Sequence, residues 1–199
     1  LKRRAEKEGE DWDEVEMIIE ARLAEMQTEK EIVSAATPQM DAIELKDANE
    51  LYNEGLRYYN SQNYEEAVKR WFKAAEQCYD YAQCALGYCY EKGLGVSQNY
   101  EEAAKWYLKA ANQGYTEAQY NIGAMLYEGK GVEQNYKEAF NWFLKAANSG
   151  NVNAQRELGS MYINGKGVVS DFDQAVYWFK KGAEQGDYDC KATLKLLGY

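Results

Sequence analysis

Catalysis and metal binding need bases, nucleophiles and ligands at workable spacing, and this chain offers few of them. Cysteines stand at Cys78, Cys84, Cys89 and Cys190, and the 199 residues contain no histidine. The missing imidazole removes the commonest general base, the usual catalytic triads and most zinc sites. Cys84 and Cys89 are five residues apart, roughly 140° around a helix, so they cannot pair with each other there. No CxxC pair occurs. Free, partly buried thiols are the plain reading, with a disulfide through Cys78 as the alternative. A nucleophilic Cys84 would need a cation to lower its pKa, and Lys92 is the only base late on its segment. The D-x-D of "DWDEVE" (Asp11–Glu16) points toward calcium, but the glycine and spacing of a calcium loop are absent. "GLGV" (Gly93–Val96) fails as a phosphate loop because a helical pattern, not a strand, precedes it. The expectation is a protein that is not an enzyme and has no metal or cofactor.

Charge narrows the partners. The chain carries 33 acidic and 23 basic residues, a net charge of −10. That balance disfavours nucleic acid and anionic membrane. The charge is uneven: Leu1–Asp47 holds 14 Asp/Glu and 7 Lys/Arg. No apolar run approaches the ~20 residues that a membrane-spanning helix needs. The first residue is Leu rather than Met, which suggests a fragment or processed product and leaves a removed signal peptide open.

What organises the residues is a repeat. "GLGVSQNYEEAAKWYLKAANQG" (Gly93–Gly114) returns 36 positions later as "GKGVEQNYKEAFNWFLKAANSG" (Gly129–Gly150) and again as "GKGVVSDFDQAVYWFKKGAEQG" (Gly165–Gly186). Within Asp80–Gln113, apolar residues fall at Ala82, Leu86, Cys89 and Tyr90, then at Ala103, Trp106, Tyr107, Ala110 and Ala111. Both sets make one helical stripe. Gly93 and Gly95 forbid a continuous helix between them, so each unit reads helix, glycine loop, helix.

The helix ends carry matching signals. Asn63 with Glu66, Asn99 with Glu102, Asn135 with Glu138 and Asp171 with Gln174 read as caps of second helices. Gly114, Gly150 and Gly186 suit the left-handed residue past a helix end. Asp80 with Gln83 and Thr116 with Gln119 look like caps for first helices, and Asn151 substitutes where Val152 breaks the rule. Trp106, Trp142 and Trp178 are expected to fill the space between units. Gly87, Gly123 and Gly159, with Ala103, Ala139 and Ala175, are expected where helices approach closely. "YDCKATLKLLGY" (Tyr188–Tyr199) reads as a helix closing the open end of a stack.

The upstream copy, Ala48–Cys78, lacks the glycine loop and resembles a tetratricopeptide unit of about 34 residues. The three later copies, with "LGYCYEKGLGV", "IGAMLYEGKGV" and "LGSMYINGKGV", resemble the Sel-1-like repeat family. The resemblance covers Ala48 to about Gly186. It implies an all-α fold, a right-handed α-solenoid of stacked antiparallel helix pairs. The expected division is an acidic helical segment with linker over 1–37, then a solenoid over 38–199. Its units are about 48–79, 80–115, 116–151 and 152–187, with a capping helix at 188–199. In front, a stripe from Trp12 to Met26 suggests a helix capped by Asp11, and "SAATPQMDA" (Ser34–Ala42) reads as the linker. That front helix is expected to contact the first repeat, another domain or another chain.

In tetratricopeptide arrays the first helix of each unit lines an inner concave wall. Carried over by this resemblance, the first unit supplies Asn49, Tyr52, Leu56 and Tyr59. The second supplies Tyr81, Cys84, Tyr88 and Glu91. The third supplies Glu117, Tyr120, Ala124 and Tyr127, and the fourth Asn153, Arg156, Ser160 and Ile163. Six of these are tyrosines, a residue that gives contact area at low entropic cost plus a hydroxyl for specificity. The plainer reading is that several simply pack neighbouring helices. A clamp for a C-terminal carboxylate is not expected, since Arg156 is the only base in the set.

The resemblance implies a scaffold, as family members commonly are in signalling, secretion, virulence and protein quality control. It points to no particular partner beyond a protein or peptide. Changing Tyr88, Tyr120 and Tyr127 to Ala is the substitution expected to abolish capture while sparing the fold. The alternative is a regulatory or anchoring arm of a larger enzyme or receptor. Some relatives are secreted, with cysteines paired inside each hairpin. Here the positions 36 beyond Cys78, Cys84 and Cys89 hold Gly114, Tyr120 and Met125, which favours the cytoplasm over an oxidising compartment. The Asn-, Lys- and Tyr-rich composition suggests a bacterial source.

Overall fold

A helix of thirteen residues is marginal by itself in water, so short helices persist only by sharing a core. The computed structural model describes residues 46–199, and the front helix and linker expected from the sequence lie outside them. The described residues form nine α-helices and no strand. They are α1 (Ala48–Asn60), α2 (Tyr64–Glu76), α3 (Asp80–Lys92), α4 (Tyr100–Asn112), α5 (Thr116–Glu128), α6 (Tyr136–Asn148), α7 (Val152–Asn164), α8 (Phe172–Glu184) and α9 (Tyr188–Leu196). Each odd helix pairs with the next even one, and each even helix packs on the odd helix that follows. The result is an all-α stack of helix hairpins, with α9 packed on α8.

The expected caps of the second helices are present. Asn63, Asn99, Asn135 and Asp171 accept from the backbone N–H three residues on, at 3.4, 3.1, 3.1 and 3.0 Å. Asn151 does the same for α7, accepting from Ala154 N at 2.9 Å. Gly114, Gly150 and Gly186 have φ of 97°, 92° and 98°. In the first unit the equivalent residue is Cys78, which takes φ 61° with a side chain attached.

The expected caps of α3 and α5 are not. Tyr79 and Tyr115 hold those N-cap positions without a side-chain bond, and Asp80 Oδ1 accepts only from Tyr81 N. Gln83 and Gln119 reach instead to the preceding unit, donating to Ala75 O at 3.3 Å and Ala111 O at 3.4 Å. Gln155 repeats the bond to Ala147 O at 3.2 Å. The reason is burial: these amides lie inside the junction, where the carbonyl of the previous helix end is their available partner.

Packing explains the small residues. A Cβ at Gly87, Gly123 or Gly159 would press into the ring of Tyr107, Phe143 or Phe179, at 2.6, 2.9 and 2.7 Å. The close approach is therefore helix to ring within one hairpin. Trp106, Trp142 and Trp178 are buried in clusters shared with the preceding unit, where Trp106 meets Phe72 edge-on at 5.7 Å. The second loop glycine also joins units. A Cβ on Gly131 would collide with the backbone of Tyr100, the first residue of the previous second helix, and its φ is 71°. Lys130 then lies over the Tyr100 ring at 4.5 Å.

Candidate protein-binding face

Of the sixteen wall positions, all but Cys84, Ala124 and Ser160 are the candidate contacts; none of these thirteen is fully buried, although Tyr52, Leu56, Tyr59, Tyr120 and Tyr127 pack against the core clusters. Asn49, Tyr81, Tyr88, Glu117, Asn153 and Ile163 are exposed, and Tyr52, Leu56, Tyr59, Glu91, Tyr120, Tyr127 and Arg156 are half-buried. Their neighbours on the same helices, such as Ala82, Leu86, Ala118 and Leu158, are buried. The helical period thus splits each first helix into a core stripe and a surface stripe.

Adjacent first helices meet through this surface stripe. Tyr52 lies 5.8 Å from Tyr81 and 5.4 Å from Tyr79 between ring centroids. Tyr81 stacks on Tyr79 at 5.5 Å and approaches Tyr115 at 4.8 Å. Tyr79 Oη donates to Asn49 Oδ1 at 3.1 Å. These four rings form one continuous aromatic patch across the starts of α1, α3 and α5. Tyr79 and Tyr115 lie outside the sixteen wall positions, although they recur 36 residues apart just ahead of the first helices.

Along the stripe the tyrosines divide into two kinds. Tyr81 is 45% exposed and Tyr88 40%. Tyr120 instead leans on Phe143 at 5.7 Å. Tyr127 packs on Tyr136 at 5.1 Å and accepts from Lys166 Nζ at 2.8 Å. Replacing Tyr120 and Tyr127 by Ala would therefore disturb the fold, so the triple substitution does not isolate binding. Burial pushes the Tyr120 hydroxyl pKa up, with Glu157 adding to it. Glu91 is also engaged internally, accepting from Tyr107 Oη at 2.9 Å. Arg156 is held by Asp187 at 3.0 Å and Asp189 at 3.3 Å.

Cys84 and Cys89 are not poised as nucleophiles. Burial, with Glu117 nearby, pushes Cys84 up to about 12, and burial alone takes Cys89 to the same value. A thiol with that pKa is protonated at neutral pH and is a poor nucleophile. All four cysteines are unpaired. Among the described residues no group of His, Cys, Asp or Glu could hold a metal ion, and no helix is long and apolar enough to cross a membrane.

Stacked hairpins joined by buried aromatic residues, with a polar and aromatic stripe left on the first helices, define a helical-repeat scaffold. The Sel1 repeat model matches residues 80–115, 116–151 and 152–187, and the chain belongs to the Sel1 repeat family. Proteins of this family generally act as protein-interaction scaffolds and are typically non-catalytic. Among solved structures the chain is similar to a protective antigen of uropathogenic Escherichia coli with an SLR fold. That match has 37% identity and a TM-score of 0.73, covering 74% of this chain and 32% of that one. A Sel1 repeat protein from Oxalobacter formigenes matches at 37% identity and TM-score 0.73, over 86% of this chain and 72% of that one. Helicobacter pylori cysteine rich protein B matches at 25% identity and TM-score 0.52, over 65% of this chain and 96% of that one. No curated protein sequence matches the chain.

Proposed function

We propose that this chain is a non-catalytic adaptor that holds a protein or peptide along the surface stripe of α1, α3, α5 and α7. One observation carries the reading: these helices leave a continuous row of tyrosine and polar side chains outside the core, with Tyr81 and Tyr88 substantially exposed. Tyrosine in such a position offers a rigid apolar face and a hydroxyl, the combination that binding surfaces favour. A photo-crosslinking residue placed at Tyr88 in the full chain tests the face. A partner protein should attach there and not from the same residue at Tyr177, which is exposed on α8. Attachment from Tyr177 alone would move the binding surface to the second helices.

A further inference from the structure

Cations of this chain already cover many of its rings. Lys109 lies over Trp106 at 3.8 Å, Lys145 over Trp142 at 3.9 Å and Lys92 over Tyr88 at 5.8 Å. Lys166 serves Tyr127 and Tyr136. The patch of Tyr52, Tyr79, Tyr81 and Tyr115 is the densest group of tyrosines, yet no Lys or Arg among the described residues stands over any of its rings. Lys46, six residues before Tyr52, is taken up by Glu54 and Glu50.

Charge around the patch has the opposite sign. Asp80 lies between Tyr79 and Tyr81, with its carboxylate turned onto Tyr81 N at 2.9 Å. Glu117 is exposed two residues beyond Tyr115. Neither carboxylate has an ion-pair partner among the described residues. The same asymmetry extends over the fold. Helices α1, α3, α5 and α7 together hold seven Asp/Glu against three Lys/Arg, whereas α2, α4, α6 and α8 hold eight against nine. Among the paired helices the acidic excess therefore belongs to the first ones.

A ring face presents negative potential, and a cation over it gains attraction that neighbouring carboxylates reinforce. We infer that the patch formed by Tyr52, Tyr79, Tyr81 and Tyr115, rimmed by Asp80 and Glu117, docks a Lys- or Arg-bearing segment of a partner protein. The inference rests on the adaptor reading above and adds the chemistry of the partner. The basic side chain lies on the exposed face of Tyr81, its charge toward the two carboxylates and its methylenes on the neighbouring rings.

The test uses the full chain and three labelled peptides of equal length, repeats of Arg-Gly, Gln-Gly and Glu-Gly, followed by fluorescence anisotropy. The Arg-Gly peptide should bind and the other two should not. Affinity should fall about tenfold in Tyr81→Leu and in the double variant Asp80→Asn/Glu117→Gln. It should hold in Asp173→Asn/Glu184→Gln, which makes the same charge change on α8. Circular dichroism melts confirm that each variant is folded. Equal losses in the two double variants would reveal diffuse attraction and overturn the site, as would full binding by Tyr81→Leu. Gln-Gly binding as tight as Arg-Gly, and lost with Tyr81→Leu, removes the cation but leaves the face. A partner crosslinked at Tyr88 while no peptide binds also overturns the cation and spares the adaptor. Arg-Gly binding at the patch, with partner crosslinks only from Tyr177, would separate the site from the adaptor face.

Discussion

Residues 116–151 and 152–187 follow one layout, yet only the second fully satisfies its buried glutamine. In both, the amide nitrogen donates across the junction to the previous helix end. Gln155 Oε1 then accepts from Gln185 Nε2 at 2.9 Å, as Gln83 Oε1 accepts from Gln113 at 2.8 Å. The position that supplies this donor in the third unit is Ser149, and Gln119 Oε1 is left buried without a partner. One residue at a helix end thus decides whether the junction is closed. A second difference lies 36 residues apart at Asn151 and Asp187. Both cap a helix, but only Asp187 also holds a cation, Arg156. Repetition copies the frame, while the polar closure of each junction is set locally.

The frame is tested by its aromatic residues. Phe143→Ala and Phe179→Ala should each lower stability by about 3–5 kcal/mol in urea denaturation, since both rings are buried against a helix glycine. Similar losses would show that the two units are held by the same kind of ring-on-glycine packing, whereas a large disparity would break the comparison there.

Ser149→Gln should sharpen it. The new amide can donate to Gln119 Oε1, and the urea midpoint should rise by about 1 kcal/mol equivalent with the slope unchanged. The reciprocal Gln185→Ser should lower it by a similar amount. If Ser149→Gln has no effect, the unpartnered oxygen is not what distinguishes the third unit.

Acid should produce the smallest effect. Burial opposes the charge on Asp187, but the Cys190 N–H and Arg156 outweigh it and hold the carboxyl below its ordinary range. A depressed carboxylate contributes stability above its unfolded pKa and loses it as pH falls through the folded value. The melting-temperature advantage of the native chain over Asp187→Asn should therefore be present at neutral pH and shrink below about pH 4. A gap that is constant with pH would mean that the Arg156–Asp187 pair contributes nothing through charge.

Much of this was legible beforehand because local rules repeat four times. Asn99, Asn135 and Asp171 announce helix starts through their spacing to Glu102, Glu138 and Gln174, and the bonds they make are short-range. The glycine loops end the first helices for equally local reasons. Gln83 and Gln119 misled because a polar residue at a capping distance has the same signature whether it turns back to its own helix or outward. The side of each first helix that stays out of full burial was legible from the helical period, and none of the thirteen candidate contacts is fully buried. Less legible was what surrounds them: Tyr79 and Tyr115 precede the helices, where the helical period marks no face and only the 36-residue repeat points to them, and the packing of Tyr120 and Tyr127 on Phe143 needs a second helix.

By itself the sequence determined the family, the helix pairs and their ends, because capping, helical period and glycine breaks act within a few residues along the chain. Tertiary structure alone decided which tyrosines remain available, where the glutamines bond and which junction stays unclosed. Those outcomes depend on groups some 30 positions apart meeting across a helix junction, where a single side chain too short to reach leaves a buried oxygen without its donor.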